Sequence, residues 1–147
     1  GIGRRSGERV IPETGIEMKQ FRNADHFASW AGLVPGCNES AGKKMSSRIR
    51  KGNLHLKSTL VECAHSAIRH KDSYFYAKYC KLSARRGGKR SIVAIAHSMA
   101  LAIYHIILNK ERFVDLGSDY FNTIYAEKIK KRNIQSLEKL GFSVSLS

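Results

Sequence analysis

The chain has 147 residues, 42% of them hydrophobic, enough for one packed domain with at most an appendage. No run of eighteen apolar residues occurs and Gly1-Ile-Gly-Arg-Arg lacks an apolar signal stretch, so neither a membrane span nor a signal peptide is expected. Twenty-six Lys and Arg against twelve acids give a net charge of +14, which favours a polyanionic partner; a membrane surface would instead ask for one basic amphipathic helix, whereas here the cations are spread over several segments.

The opening Gly1-Ile2-Gly3, followed by Arg4, Arg5 and a short helical stretch, is like the hairpin and second helix of a helix-hairpin-helix, whose backbone N–H groups bind phosphate. The first helix of such a motif is absent and Pro12 has no N–H to donate, so the favoured expectation for residues 1–22 is a truncated, frayed remnant. Residues 23–147 then form the main helical domain. Phe27, Trp30 and Ala31 fall at i, i+3 and i+4 of a short helix, which Gly32 is suited to stop because glycine enters the left-handed region freely.

From Gly32 to Asn53 the chain is rich in turn formers and cations: Pro35-Gly36, Asn38, Gly42, then Lys43, Lys44, Arg48, Arg50 and Lys51, with no acid after Glu39. This reads as a loop between two helices. Of its three serines (Ser40, Ser46 and Ser47), Ser40 stands beside charges that would screen a phosphate and stabilise an oxyanion. On composition alone, serine in a glycine-rich loop is more often turn chemistry than a nucleophile.

Asn53 is a plausible N-cap for a long helix whose Leu56, Leu60, Cys63, Ala64, Ala67 and Ile68 share one face. A third helix is expected to start with Asp72 as N-cap and to turn Phe75, Tyr79 and Leu82 inward. Its aromatic run Tyr74-Phe75-Tyr76 with Tyr79 suits core packing better than base stacking. The basic stretch Ala84-Arg-Arg-Gly-Gly-Lys-Arg-Ser91 precedes the most amphipathic helix, with Ile92, Ile95, Ala96, Met99, Ile103 and Ile107 at helical spacing. Arg85, Arg86, Lys89 and Arg90 have the wrong sign for that helix's N-terminal dipole, a conflict a bound phosphate would resolve. After a loop over residues 109–117, a last helix is expected from Ser118 towards Leu140. Its inward residues would be Ile124, Ile134, Leu137 and Leu140, and Lys128, Lys130, Lys131 and Arg132 would form a solvated basic face. Phe142-Ser-Val-Ser-Leu alternates like a short strand.

The blocks Ala28-Ser-Trp-Ala-Gly-Leu-Val-Pro-Gly, Asn38-Glu-Ser-Ala-Gly-Lys, Arg50-Lys-Gly-Asn, Lys89-Arg-Ser-Ile-Val-Ala-Ile-Ala-His and Asp115-Leu-Gly-Ser-Asp-Tyr-Phe, in this order, resemble the C-terminal domain of the IS110/IS116-type insertion-sequence transposases. The resemblance runs over nearly the whole chain. It implies a serine, here Ser40, that becomes covalently joined to DNA during strand exchange. It also implies a structured bridge RNA as guide, and a separate RNase H-like domain whose DEDD acids hold magnesium. That domain has no counterpart in these residues, and without an initiator Met the chain reads as a piece of a longer enzyme, inactive alone.

Other constellations are weak. Six His and three Cys show no C-x-x-C or H-x-x-x-H spacing, so no metal site is expected in this chain. The odd, widely spaced Cys37, Cys63 and Cys80 fit a reducing cytosol, hence a cytoplasmic, nucleoid-associated protein of a bacterium or archaeon. A Ser40–His65–Asp72 triad can be drawn, but nothing in the spacing makes it converge. The expectation is therefore a mainly α bundle of about five helices around residues 92–108. It carries a catalytic Ser40 and a nucleic-acid surface of Lys43, Lys44, Arg48, Arg50, Lys51, Arg85, Arg86, Lys89 and Arg90. DNA and a guide RNA would be its partners, in a homo-oligomer of the full-length protein and without a membrane. The rival reading is a helical nucleic-acid-binding module with no chemistry.

Overall fold

A computed structural model describes residues 2–36, 38–40, 43–46, 48–49 and 51–143, with the backbone alone at 38–40 and 43–46. The protein is mainly helical, as its periodicities predict. In chain order it has α1 (Arg4–Thr14), a 3-10 turn (Met18–Gln20), α2 (Ala24–Trp30), a hairpin of β1 (Asn38–Ser40) and β2 (Lys43–Ser46), α3 (Leu54–Ala67), α4 (Tyr74–Arg86), α5 (Gly88–Asn109) and α6 (Tyr120–Lys139).

The core is built on α5. Its Ile92, Ile95, Ala96, Met99, Ala100, Ile103 and Tyr104 are all buried, alternating steps of three and one as an α-helical stripe requires. The alanines in that stripe let neighbours approach closely, and α2, α3, α4 and the 3-10 turn all pack on it. By length and composition α5 is the one described helix able to cross a membrane, although no unbroken apolar run marks it in the sequence. Here its apolar stripe faces the other helices. Opposite it, α3 contributes Leu56, Leu60, Cys63, Ala64 and Ala67, the face expected, and α2 contributes Phe27 and Ala28. The Phe27 ring lies 6.1 Å from that of Tyr104 and 5.0 Å from that of Phe21.

The amino-terminal stretch is not frayed. α1 continues through Pro12, and Thr14 Oγ1 donates to the Val10 carbonyl at 3.1 Å. Val10, Thr14 and Met18 are buried with the rest of the core, and α1 lies antiparallel on α3. The direction follows from Arg9 pairing with Glu62 at 3.3 Å while Asn53, at the start of α3, donates to Glu13 at 2.7 Å. Ordering of this segment comes from tertiary burial, which local propensity does not report.

The start of α4 differs from expectation. Ser73, not Asp72, caps α4: its Oγ accepts from Tyr76 N–H at 3.2 Å. Asp115 comes in from the loop after α5 to accept from Tyr74 N–H at 2.9 Å and from Gly117 N–H at 2.8 Å. The block beginning at Asp115 is thus a clasp: its carboxylate satisfies an orphan amide of α4, and Tyr120 and Phe121 each pack 5.3 Å from the Tyr74 ring. Among the described residues, α6 contacts α4, with Tyr120 and Phe121 of its first turn on the Tyr74 ring. Ile124 and Ile134 are therefore only half-buried, and Leu137 and Leu140, expected inward, are 42% and 72% exposed because no described element lies beside them. The expected strand from Phe142 has residues 144–147 outside the described set.

Asp115→Ala should remove the tertiary cap and cost about 1 kcal/mol in denaturant unfolding, with Asp115→Asn retaining most of it because its amide oxygen still accepts.

Candidate nucleic-acid interface

The Ser40 segment is a hairpin on a pinned neck. At the end of α2, Leu33 N–H reaches back to the Ala28 carbonyl at 3.1 Å and Gly32 N–H to that of Ser29 at 3.0 Å, with Gly32 at φ 72°. This is a Schellman turn, and its hydrophobic partners Leu33 and Ala28 are both buried. The chain returns at Gly52 against the same turn. A Cβ on Gly52 would lie 2.5 Å from the Trp30 carbonyl oxygen and 2.6 Å from Gly32 Cα, and would press on Gly32 N as well. So the two glycines are needed for different reasons: Gly32 for its dihedral angle, Gly52 for the space a side chain would take.

Asn53 fastens the returning strand. Its N–H donates to the Trp30 carbonyl at 3.0 Å, its Oδ1 accepts from Leu56 N–H at 2.9 Å as the cap of α3, and its Nδ2 holds Glu13 of α1. One residue thereby joins α1, α2 and α3. Above it, Pro35 and Ile49 form a bridge and Gly36 N–H donates to the Arg48 carbonyl at 2.8 Å.

With both legs held this close, their backbone groups pair, which is why the expected loop contains a two-stranded ribbon. The register sets Ser40 opposite Lys43, Glu39 opposite Lys44 and Asn38 opposite Ser46, with an irregularity between Asn38 and Glu39. Ser40 and Lys43 are thus the last paired residues before the turn. Arg48 and Lys51 are exposed, Arg48 with an interaction partner. Arg50, Ser47 and Cys37 lie outside the described residues.

The second basic group sits at the α4–α5 corner, and the structure divides it. Arg85 and Arg86 occupy the last turn of α4, where the dipole favours cations, whereas only Lys89 and Arg90 stand in the first turn of α5. All four are exposed, and the chain turns between them at Gly87, φ 77°. An apolar cavity of about 580 Å³ lies where Ile2, Ala67, Phe75 and Ile103 come together.

The sequence-level triad is not assembled: His65 is exposed in the last turn of α3 and Asp72 lies just beyond, at the opposite end of that helix from the hairpin's neck. Tyr74 and Phe75 face protein rings, with Phe75 stacked on Phe113 at 5.8 Å. Among the described residues no three of His, Cys, Asp and Glu lie together. What the sequence reading missed is the joint role of Gly52, Asn53 and Glu13. The signal available for it was the Gly-Asn pair directly before an apolar helical stripe.

Gly52→Ala should destabilise the protein by at least about 2 kcal/mol, since backbone rather than a flexible side chain must yield. In contrast Gly7→Ala, in α1 with nothing within 4 Å of a new Cβ, should stabilise it by about 0.5–1 kcal/mol. Chemical denaturation of both variants beside the parent checks the pair.

Over 70 residues, 47% of the chain, the sequence is 34% identical to a protein of Pseudomonas aeruginosa (strain PAO1) described as "Probable family 20 transposase". The chain spans only about 20% of that relative's length. No solved structure matches it. Residues 1–80, which run from α1 through the pinned hairpin and α3 into α4, match the Transposase IS116/IS110/IS902 family, and the chain belongs to that family of transposases.

Proposed function

We propose that this domain supplies the serine half of a DNA strand-exchange site. The observation that carries the reading is the register of the hairpin: Ser40 is paired with Lys43 at the tip of a ribbon whose neck is locked to three helices. A nucleophile on a rigid stalk can be delivered into a site built by another domain at low conformational cost.

In this reading the Ser40 hydroxyl oxygen attacks a DNA phosphorus. A P–O bond to Ser40 forms as the bond from phosphorus to a deoxyribose oxygen breaks, and the serine proton passes to solvent or base as the leaving oxygen acquires one. In the second step a hydroxyl of another strand attacks, the bond to Ser40 breaks, and the serine is reprotonated. Lys43 and Lys44 supply positive charge beside the reacting phosphate, and Arg48, Arg50 and Lys51 hold the flanking backbone. Arg85, Arg86, Lys89 and Arg90 extend the phosphate-binding surface. A structured guide RNA shares that surface. Magnesium belongs to a DEDD domain outside this chain, so the 147 residues alone leave DNA intact. The enzyme works as a cytoplasmic, nucleoid-associated homo-oligomer.

In the full-length enzyme, Ser40→Ala should abolish strand exchange while changing stability by less than about 0.5 kcal/mol. Ser46→Ala and Ser47→Ala should retain it. The deciding measurement is a protein–DNA adduct trapped on a nicked substrate and mapped by peptide mass spectrometry. An adduct on Ser46 or Ser47, or full activity of Ser40→Ala, overturns the assignment and leaves a binding module without chemistry.

A further inference from the structure

On α4, Tyr74, Lys78, Lys81 and Arg85 recur at i, i+4, i+7 and i+11, which aligns them along one face. At 1.5 Å per residue the cations cover about 10 Å of the helix axis, from Lys78 to Arg85. Lys78 Nζ donates to Ser98 Oγ of α5 at 2.7 Å and to the Tyr74 hydroxyl at 3.4 Å, and lies 5.5 Å from the Tyr74 ring centre. Lys81 Nζ stands 5.0 Å from the ring centre of Phe121. No carboxylate pairs with any of these three cations among the described residues.

The energetics of Lys78 are one-sided. Burial pushes its ammonium below the ordinary lysine range, with a smaller opposing pull from the Tyr120 phenol. Its hydrogen-bond partners are the Ser98 and Tyr74 hydroxyls, with the Tyr74 ring face and His97 nearby, which soften the loss of water but do not cancel the charge. An arriving anion would gain more from such a preorganised cation than from a freely solvated one. At the far end of the stripe, Arg85 opens onto Arg86, Lys89 and Arg90 around Gly87. Lys78 leans towards α5 at Ser98 and Lys81 towards the first turn of α6 at Phe121.

We propose that this face of α4 is a second nucleic-acid contact, in which Lys78, Lys81 and Arg85 bind successive phosphates of a single strand running along α4 to the Gly87 corner. The inference rests on the nucleic-acid reading above but not on Ser40. A narrow, straight line of cations backed by rings suits one sugar-phosphate backbone, with no base-edge readout and hence little sequence preference.

The test uses the 147-residue chain and fluorescein-labelled RNA and DNA single strands of about 12 nucleotides, with the same DNA as a duplex, followed by anisotropy across a salt series. The double variant Lys78→Met, Lys81→Met should flatten the log–log salt slope for single strands by about 1.4, two phosphates at about 0.7 each. Its thermal midpoint should hold or rise, because a half-buried charge without a counter-ion is removed. Lys78→Arg with Lys81→Arg should restore the slope, and exposed Lys81→Met alone should give about half the effect without touching the fold. An unchanged slope, with or without a lower midpoint, overturns the stripe and leaves the lysines as structural ties. Equal flattening on the duplex overturns the single-strand assignment. If Lys43→Met with Lys44→Met weakens binding while the α4 variants do not, the stripe falls and the proposed function stands. No binding by the parent chain at low salt overturns both.

Discussion

The backbone of Gly52 rests on the turn that ends α2, close enough to the Trp30 carbonyl and the Gly32 backbone to exclude even a methyl group. That contact is where the bundle and the hairpin meet. Without it the returning strand would stand farther off, Asn53 could not donate to the Trp30 carbonyl, and the cap of α3 and its tie to Glu13 would shift together. The close approach thus coordinates three helices whose apolar stripes specify burial but not relative height. Hydrophobic burial is non-directional; hydrogen bonds at a tight neck are not.

The same division runs through the rest of the molecule. α5 supplies apolar surface in a regular stripe, and α2, α3 and α4 cover it. Polar fasteners then fix the ends: the Schellman turn after α2, Asn53 for α3, and Ser73 with Asp115 for α4. The positive charge is kept to the outside, on the α4–α5 corner and along the face of α4. Among the described residues no Lys or Arg is buried, and only Lys57 and Lys78 are half-buried, which keeps cation self-repulsion out of the core.

How far the sequence could be read follows from what each feature depends on. The stripes of α3 and α5, the stop at Gly32 and the cap at Asn53 are local patterns, and the structure carries all of them. α6 misled because helical spacing of Ile124, Ile134, Leu137 and Leu140 says which residues share a face, not whether anything lies opposite. α1 misled in the other sense, since Pro12 argues against a helix locally while burial of Val10 and Thr14 holds it in place. The basic run around Gly87 was assigned to one helix terminus, yet α5 begins four residues earlier than its apolar stripe and α4 ends with two of the four cations. At the candidate site, the spacing of Ser40 and the lysines was visible, but their pairing depends on the neck, which needs two segments twenty residues apart to touch.

A neck closed below a ribbon also separates two kinds of sequence change. The Gly36–Arg48 hydrogen bond closes the segment between them, and the entropy of closing such a segment rises by only about 0.6 kcal/mol for each doubling of its length. Insertions, deletions and exchanges of the tip therefore leave the helices nearly indifferent, while the residues at the neck tolerate almost none. Such a molecule can acquire a longer or differently charged tip by recombination of short segments, keeping one scaffold and changing what it presents.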